Sequence, residues 1–172
     1  YVDSDLLSIR YKNLIYSYIK HYGNTIGEDV RLYSTPGRTE LAGNHTDHNH
    51  GKVIAASIQL DTIAAAVQTA GSFISLISEG FPPVVIDISD LSVHPDEHGT
   101  THALVRGIVA GFASRGFEIG AFRTVTSSNV LKGSGLSSSA AIEMLCATIL
   151  NDLYNDNRMS VVDMAIVSQE AE

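Results

Sequence analysis

The stretch Leu131-Lys132-Gly133-Ser134-Gly135-Leu136-Ser137-Ser138-Ser139-Ala140-Ala141 constrains this chain more than any other. It follows a β-branched run and opens a long apolar-periodic one, so it reads as a strand-to-helix connection. Glycines let backbone amides converge without a Cβ in the way, and the free N–H groups of a helix start favour an anion. Three serines there can cap the helix, hydrogen-bond phosphate oxygens, or offer a hard hydroxyl oxygen to Mg²⁺. The stretch is not a Walker A loop, which needs Lys before its final Ser/Thr, and it lacks the GxGxxG spacing. On residues alone, a plain serine-capped turn and a nucleotide-phosphate cradle both remain open.

Periodicity sets this loop in an α+β frame. A helix is expected from about Asp5 to Tyr22, with Leu7, Tyr11, Leu14, Ile15, Tyr18, Ile19 and Tyr22 at helical spacing. Asp29–Ser34 alternates as a strand and runs into Thr35-Pro36-Gly37, a turn signal. Lys52–Ile58, Thr62–Thr69, Phe73–Ser78 and Val84–Ile88 read as further strands of a mostly antiparallel sheet. A helix from Thr100 or Thr101 to before Gly116, a strand from Ala121 to Ser127 and a helix from about Ser137 to Leu153 follow. The last helix opens with Ser160-Val161-Val162-Asp163, a capping-box-like start, and runs to Glu172. Nothing at Glu172 reads as a stop, and the chain begins without Met, so a longer parent protein is expected. Residues 1–172 are read as one domain.

Composition narrows the partners. The chain has 172 residues, with 11 Lys+Arg against 19 Asp+Glu and a formal net charge of −8. That charge argues against nucleic acid or an anionic membrane surface as partner, since both require surplus cations. No apolar run reaches the ~18 residues of a membrane span, and the acidic start is unlike a signal peptide. Cys146, the one cysteine, lies among apolar and small residues, so it reads as core in a reducing, cytoplasmic compartment. Asp61, Asp87 and Asp90 read as residues that end or solvate strands, and His94, His98 and His102 as surface side chains.

A second segment looks chemical: Pro36-Gly37-Arg38-Thr39-Glu40-Leu41-Ala42-Gly43-Asn44-His45-Thr46-Asp47-His48-Asn49-His50-Gly51. Its density of donors and acceptors suits a polyol, because each sugar hydroxyl both donates and accepts. His45, Asp47, His48 and His50 are also metal-ligand types, but their spacing follows neither HExxH nor a Cys/His finger. Arg38 beside such a site suits a transition-state clamp as well as a surface ion pair.

Together and in this order, the two segments resemble the GHMP kinase superfamily, and within it the galactokinases. The signature usually written PGRxNLIGEHTDYNxGxVLP is similar to Pro36–Ala55, and the phosphate loop PxGxGLSSSA to Leu131–Ala140, with Leu131 in place of the proline. Gln169-Glu170-Ala171-Glu172 resembles the QEAE of the helix preceding the family's catalytic aspartate. The resemblance implies the GHMP kinase N-terminal fold, related to domain 2 of ribosomal protein S5: a mixed, mostly antiparallel sheet packed with helices. It also implies transfer of the γ-phosphoryl group of ATP to the anomeric hydroxyl of galactose or a close analogue. Arg38 would be the transition-state stabiliser. Asn44, His45, Thr46 and Asp47 would face the sugar, and Gly133, Ser134, Gly135, Leu136, Ser137, Ser138 and Ser139 would wrap the nucleotide phosphates. Ser139 and Glu172 match the positions of the Mg²⁺ ligands.

The departures carry expectations of their own. Asn44 replaces the family's Glu, Glu40 its Asn, Ala42 its Ile and His48 its Tyr. An amide in place of a carboxylate keeps an acceptor, loses the charge and gains two donors, so altered recognition of one sugar edge is expected. The family's catalytic aspartate lies about a dozen residues beyond QEAE and its C-terminal domain beyond that, so the 172-residue chain alone is expected to be inactive. A catalytically silent galactose- and ATP-binding sensor is the reading from another class. A GHMP kinase acting on mevalonate or homoserine is a third, which the His45-Thr46-Asp47 segment disfavours.

Overall fold

The computed structural model describes residues 4–23, 27–43, 51–130 and 135–172. In chain order the elements are α1 (Ser4–Tyr22), β1 (Arg31–Ala42), β2 (Ile54–Gln68), β3 (Phe73–Ser78), β4 (Val84–Asp87), a 3-10 turn (Pro95–Glu97), α2 (Thr101–Ser114), β5 (Phe122–Ser128), α3 (Ser138–Asn155) and α4 (Val161–Ala171). The strands form one sheet in the order β1-β2-β5-β3-β4. Every neighbour pair is antiparallel except β3 and β5, which run parallel with Ser75 opposite Arg123. This is the mixed, mostly antiparallel α+β fold expected.

Both faces of the sheet are covered at its centre, and β2 records it: Ile63 to Val67 are all buried, whereas the edge strands β1 and β4 alternate in and out. Ala64 and Ala66 face the layer of α2, α3 and α4, packed with Phe112, Phe122, Leu145 and Ile149. Ile63, Ala65 and Val67 face α1, where Leu14 and Tyr18 close a smaller core with Val125. The apolar stripe of α1 is narrower than its spacing suggests, since Leu7, Ile15 and Ile19 stay partly in solvent. Polar clamps make up for this: Arg10 pairs with Asp61 and reaches the Asp61 carbonyl at 2.9 Å, while Arg123 donates to the Tyr18 hydroxyl at 2.8 Å and lies over the Tyr18 and Tyr22 rings.

Three expectations are corrected. Pro36-Gly37 is not a turn: β1 runs through it, with a register irregularity between Pro36 and Arg38. β1 is an edge strand, where a missing N–H costs no ladder bond. The runs Lys52–Ile58 and Thr62–Thr69 are one strand, β2, of 15 residues. Asp61 does not end it, because Arg10 and the Ser34 hydroxyl (2.6 Å) take its carboxylate in mid-strand. The final helix does start on its box, with Ser160 Oγ accepting from the Asp163 amide at 3.1 Å.

Two glycines fix where α4 ends. On α2, a Cβ at Gly107 would stand 2.7 Å from the Ala171 Cβ, and one at Gly111 would stand 2.5 Å from a Val167 methyl. No side chain larger than hydrogen fits at either position without moving α4. That close approach carries Glu172, the residue after α4, to the first turn of α3.

Candidate functional site

α3 starts unlike α2 and α4. Ser137 sits at its N-cap position in the left-handed region (φ 59°, ψ 58°), and its side chain makes no capping bond. Thr100 and Ser160, at the starts of α2 and α4, are extended and cap with their hydroxyls. Gly135, two residues earlier, is also left-handed at φ +74°. The serines therefore do not serve as the ordinary cap that one reading of the sequence offered, and the amides of the first turn are left uncapped by Ser137. A helix start in this state attracts anions.

The arginine segment meets this loop. The Arg38 N–H donates to the Leu136 carbonyl at 3.1 Å, so β1 extends its edge onto the loop backbone. A Cβ at Gly37 would stand 3.0 Å from the same carbonyl and 3.0 Å from a Val130 methyl. The glycine thus allows a contact that any other residue would loosen. One turn into α3, the Ala141 carbonyl accepts from the buried Thr35 hydroxyl at 2.8 Å. The Arg38 side chain itself is exposed.

Glu172 approaches from the opposite flank. Ser139 Oγ donates to its carboxylate at 3.3 Å, which joins the two side chains expected to hold a divalent cation. A hydroxyl and a carboxylate on neighbouring helix ends are hard oxygen donors, so their chemistry fits Mg²⁺. Among the described residues, no cluster of three or more His, Cys, Asp or Glu gathers that could hold a metal ion. The expected site residues Asn44, His45, Thr46, Asp47, Gly133 and Ser134 lie outside the described residues. The first four belong to the connection between β1 and β2, whose arms close on each other: a Cβ at Gly43 would stand 2.3 Å from the Lys52 carbonyl.

Two features of the site escape the sequence reading. A cavity of about 740 Å³ opens beside Ser138 and Ser139, walled by Leu76, Phe81, Val84 and Leu104. An apolar slot leading to a helix start that the Ser137 side chain leaves uncapped suits a molecule with a flat apolar end and an anionic end. His102 lines it, rather than lying on the plain surface. The second feature is Glu143, 2% exposed on α3, whose Oε1 has no hydrogen-bond partner among the described residues. Burial and then the neighbouring charge of Glu172 push its carboxyl up to about 7, with Arg38 pulling the other way. The available signal is one acid within the apolar run Ala140–Ala147, four residues after Ser139. Cys146 is core as expected, its thiol pushed up to about 12 by burial.

Comparison with known proteins follows the same two segments. Residues 17–68 match the galactokinase galactose-binding signature and residues 103–172 the GHMP kinase N-terminal domain. The chain is 31% identical to the galactokinase of Clostridium tetani over 156 residues, 90% of this chain and 38% of that protein. It is 34% identical to that of Clostridium beijerinckii, covering 82% of this chain and 36% of that one. Among solved structures, Lactococcus lactis galactokinase complexed with galactose superimposes with a TM-score of 0.81 at 28% identity, over 91% of this chain and 40% of that one. Methanococcus jannaschii mevalonate kinase gives 0.69 at 19% identity, over 84% of this chain and 46% of that one, a likeness of fold. The chain thus spans under half the length of these relatives. Among the described residues, no helix is long and apolar enough to cross a membrane. The chain belongs to the GHMP kinase superfamily, homologous to the galactokinases over the N-terminal domain and its galactose-binding signature.

Proposed function

We propose that residues 1–172 form the sugar- and nucleotide-binding domain of a galactokinase-like sugar 1-kinase of the cytoplasm, which transfers the γ-phosphoryl group of ATP to the anomeric hydroxyl of galactose or a close analogue. The hydrogen bond from the Arg38 amide to the Leu136 carbonyl carries this reading: it joins the sugar-signature segment to the glycine-serine loop at one edge of α3. Phosphoryl transfer is chiefly positioning plus neutralisation of charge on the moving group, and the residues gathered here are of the types that do both.

In this reading the apolar slot beside Ser138 takes the nucleoside, and the amides from Gly133 to Ser139 hold its phosphates. Ser139 and Glu172 would hold Mg²⁺, which when bound neutralises charge on the nucleotide's phosphates. The exposed Arg38 guanidinium stabilises the equatorial oxygens of the transferring group. Asn44, His45, Thr46 and Asp47 hold sugar hydroxyls and so orient the attacking oxygen. The amide of Asn44, where the galactokinase signature has a carboxylate, alters the edge expected near C6, so a galactose analogue changed there is the favoured substrate.

The test is sugar-dependent ADP release by the intact protein with ATP and Mg²⁺, across galactose, its C6-modified relatives, glucose and mevalonate. Turnover with galactose-type sugars alone supports the proposal. Turnover with mevalonate, or none with any sugar despite tight sugar binding, overturns it.

A further inference from the structure

We infer that Glu143 contributes its carboxylate to the divalent-cation site, as a third oxygen group beside Ser139 and Glu172. The inference rests on the reading of those two residues as cation ligands and adds one that the galactokinase motifs do not assign. Residues four apart on a helix share a face, so Glu143 stands one turn below Ser139 on the side facing α4 and β1. Ser139 Oγ bonds the Glu172 carboxylate, and the charges felt at Glu143 are those of Glu172 and Arg38.

Glu143 is 2% exposed, yet its Oε1 has no hydrogen-bond partner among the described residues. A carboxylate removed from water without donors is expensive, so it asks for an occupant. A purely structural acid would hold donors, as Asp152 of the same helix does with Arg31 at 2.9 Å and the Tyr33 hydroxyl at 2.7 Å. Arg38 does not fill that role, since no ion pair or hydrogen bond joins it to Glu143 among the described residues. The charge that weighs most on it is instead a second carboxylate, Glu172, which worsens the imbalance unless a cation sits between them. Two carboxylates and a hydroxyl make the sparse oxygen set that Mg²⁺ takes when phosphates and water supply the remaining positions.

The test is Mn²⁺ binding by the intact protein, followed by electron paramagnetic resonance, for the wild type and Glu143→Gln, Glu172→Gln and Glu170→Gln. Glu170 is the control, an acid of the same helix end held by Arg115 at 2.8 Å. Expected is a ~10- to 100-fold weaker Mn²⁺ affinity for E143Q, a loss of similar order for E172Q and none for E170Q. Without metal at pH 8, where the carboxyl is ionised, E143Q should also melt higher than the wild type, because an unpartnered buried charge has been removed. Mn²⁺ should then raise its melting temperature less than it raises that of the wild type. Unchanged Mn²⁺ affinity in E143Q beside a weakened E172Q overturns the inference and leaves the proposed function standing. Unchanged affinity in both overturns the cation site as a whole. A lower metal-free melting temperature for E143Q, or its failure to fold, means a structural anchor and also overturns the inference.

Discussion

The two ends of α3 are built on opposite principles. At the C-terminal end every buried side chain has its partners: Asn151 donates to the Met159 carbonyl and accepts from the Met159 amide, each at 3.0 Å. Asn155 accepts from the Glu118 amide at 2.9 Å and donates to the Glu118 carbonyl at 2.9 Å and the Leu150 carbonyl at 3.2 Å. At the N-terminal end, Ser137 is left-handed without a capping bond and Glu143 is buried with an unpartnered oxygen. Left-handed backbone does not itself separate the ends, since Asp156 (φ 48°) and Asn157 (φ 58°) follow the helix as Ser137 precedes it. At the C-terminal end the Asn157 amide is satisfied by the Asn151 carbonyl at 3.0 Å, whereas Ser137 supplies no capping bond. Satisfied polar groups fasten the helix at one end, and the groups left wanting at the other are available to bind.

The sharpest break between the ends should come from Arg38. Its side chain is exposed and its fold contact is made by the backbone amide, so Arg38→Met keeps the Leu136 bond. In the intact protein kcat should fall about 10³-fold, close to 4 kcal/mol of transition-state stabilisation, with a melting temperature unchanged at pH 5, where the Glu143 carboxyl is protonated. A loss under tenfold would mean that the guanidinium does not act on the transferring group. The mirror experiment is Asn155→Ala at the fastened end. It leaves the part-buried Glu118 amide and carbonyl without their partner and a gap where the fully buried Asn155 side chain stood, and should cost about 3 kcal/mol in urea unfolding. The kcat of the fraction that remains folded should not change.

The third prediction concerns pH. The Glu143 carboxyl is raised in the folded chain from its ordinary 4.5 to about 7. A group with a raised folded value binds its proton more tightly when folded. Its contribution is therefore fully present below about pH 4.5 and lost as pH rises through 7. Between pH 5 and pH 8, with metal chelated, the wild type should lose about 2 kcal/mol that Glu143→Gln does not. Glu172 and Arg38 are the charges facing the carboxyl from α4 and β1, so Glu172→Gln should shrink the difference and Arg38→Met enlarge it. Parallel stability profiles for wild type and E143Q would show that the two ends of the helix are equally satisfied.

This asymmetry also marks where the sequence was legible. Local chemistry announced itself: Ser160 and Thr100 cap the helices they precede, and the glycine-serine stretch runs from strand to helix. Context did not. Pro36-Gly37 spells a turn in any window of ten residues, and only the edge position of β1 turns it into strand. Asp61 spells a break until Arg10, 51 residues away, takes its charge. Gly107 and Gly111 look like weak points of a helix until α4 lies against them. Glu143 is the plainest case. An acid within an apolar helical run carries no sign of whether it faces water or interior, since one position around the helix decides it. The apolar slot likewise draws its walls from β3, β4, the turn after β3, α2 and α3, so no single segment could announce it.

The smallest expected effect tests whether the N-terminal end is as lightly held as this contrast implies. Thr35 is buried and donates to the Ala141 carbonyl at 2.8 Å, a side-chain tie between β1 and the early turns of α3. Thr35→Val keeps the volume and removes only the donor. The Ala141 carbonyl lies inside α3 and keeps its place in the helical ladder, so it is not left without a partner as the Glu118 groups would be. The cost should be about 1 kcal/mol in urea unfolding, a third of that for Asn155→Ala, with sugar and Mn²⁺ affinities unchanged. If Thr35→Val proved as damaging as Asn155→Ala, the first turns of α3 would be fastened as firmly as the last. The unpaired groups there would then be a by-product of packing rather than a site kept open.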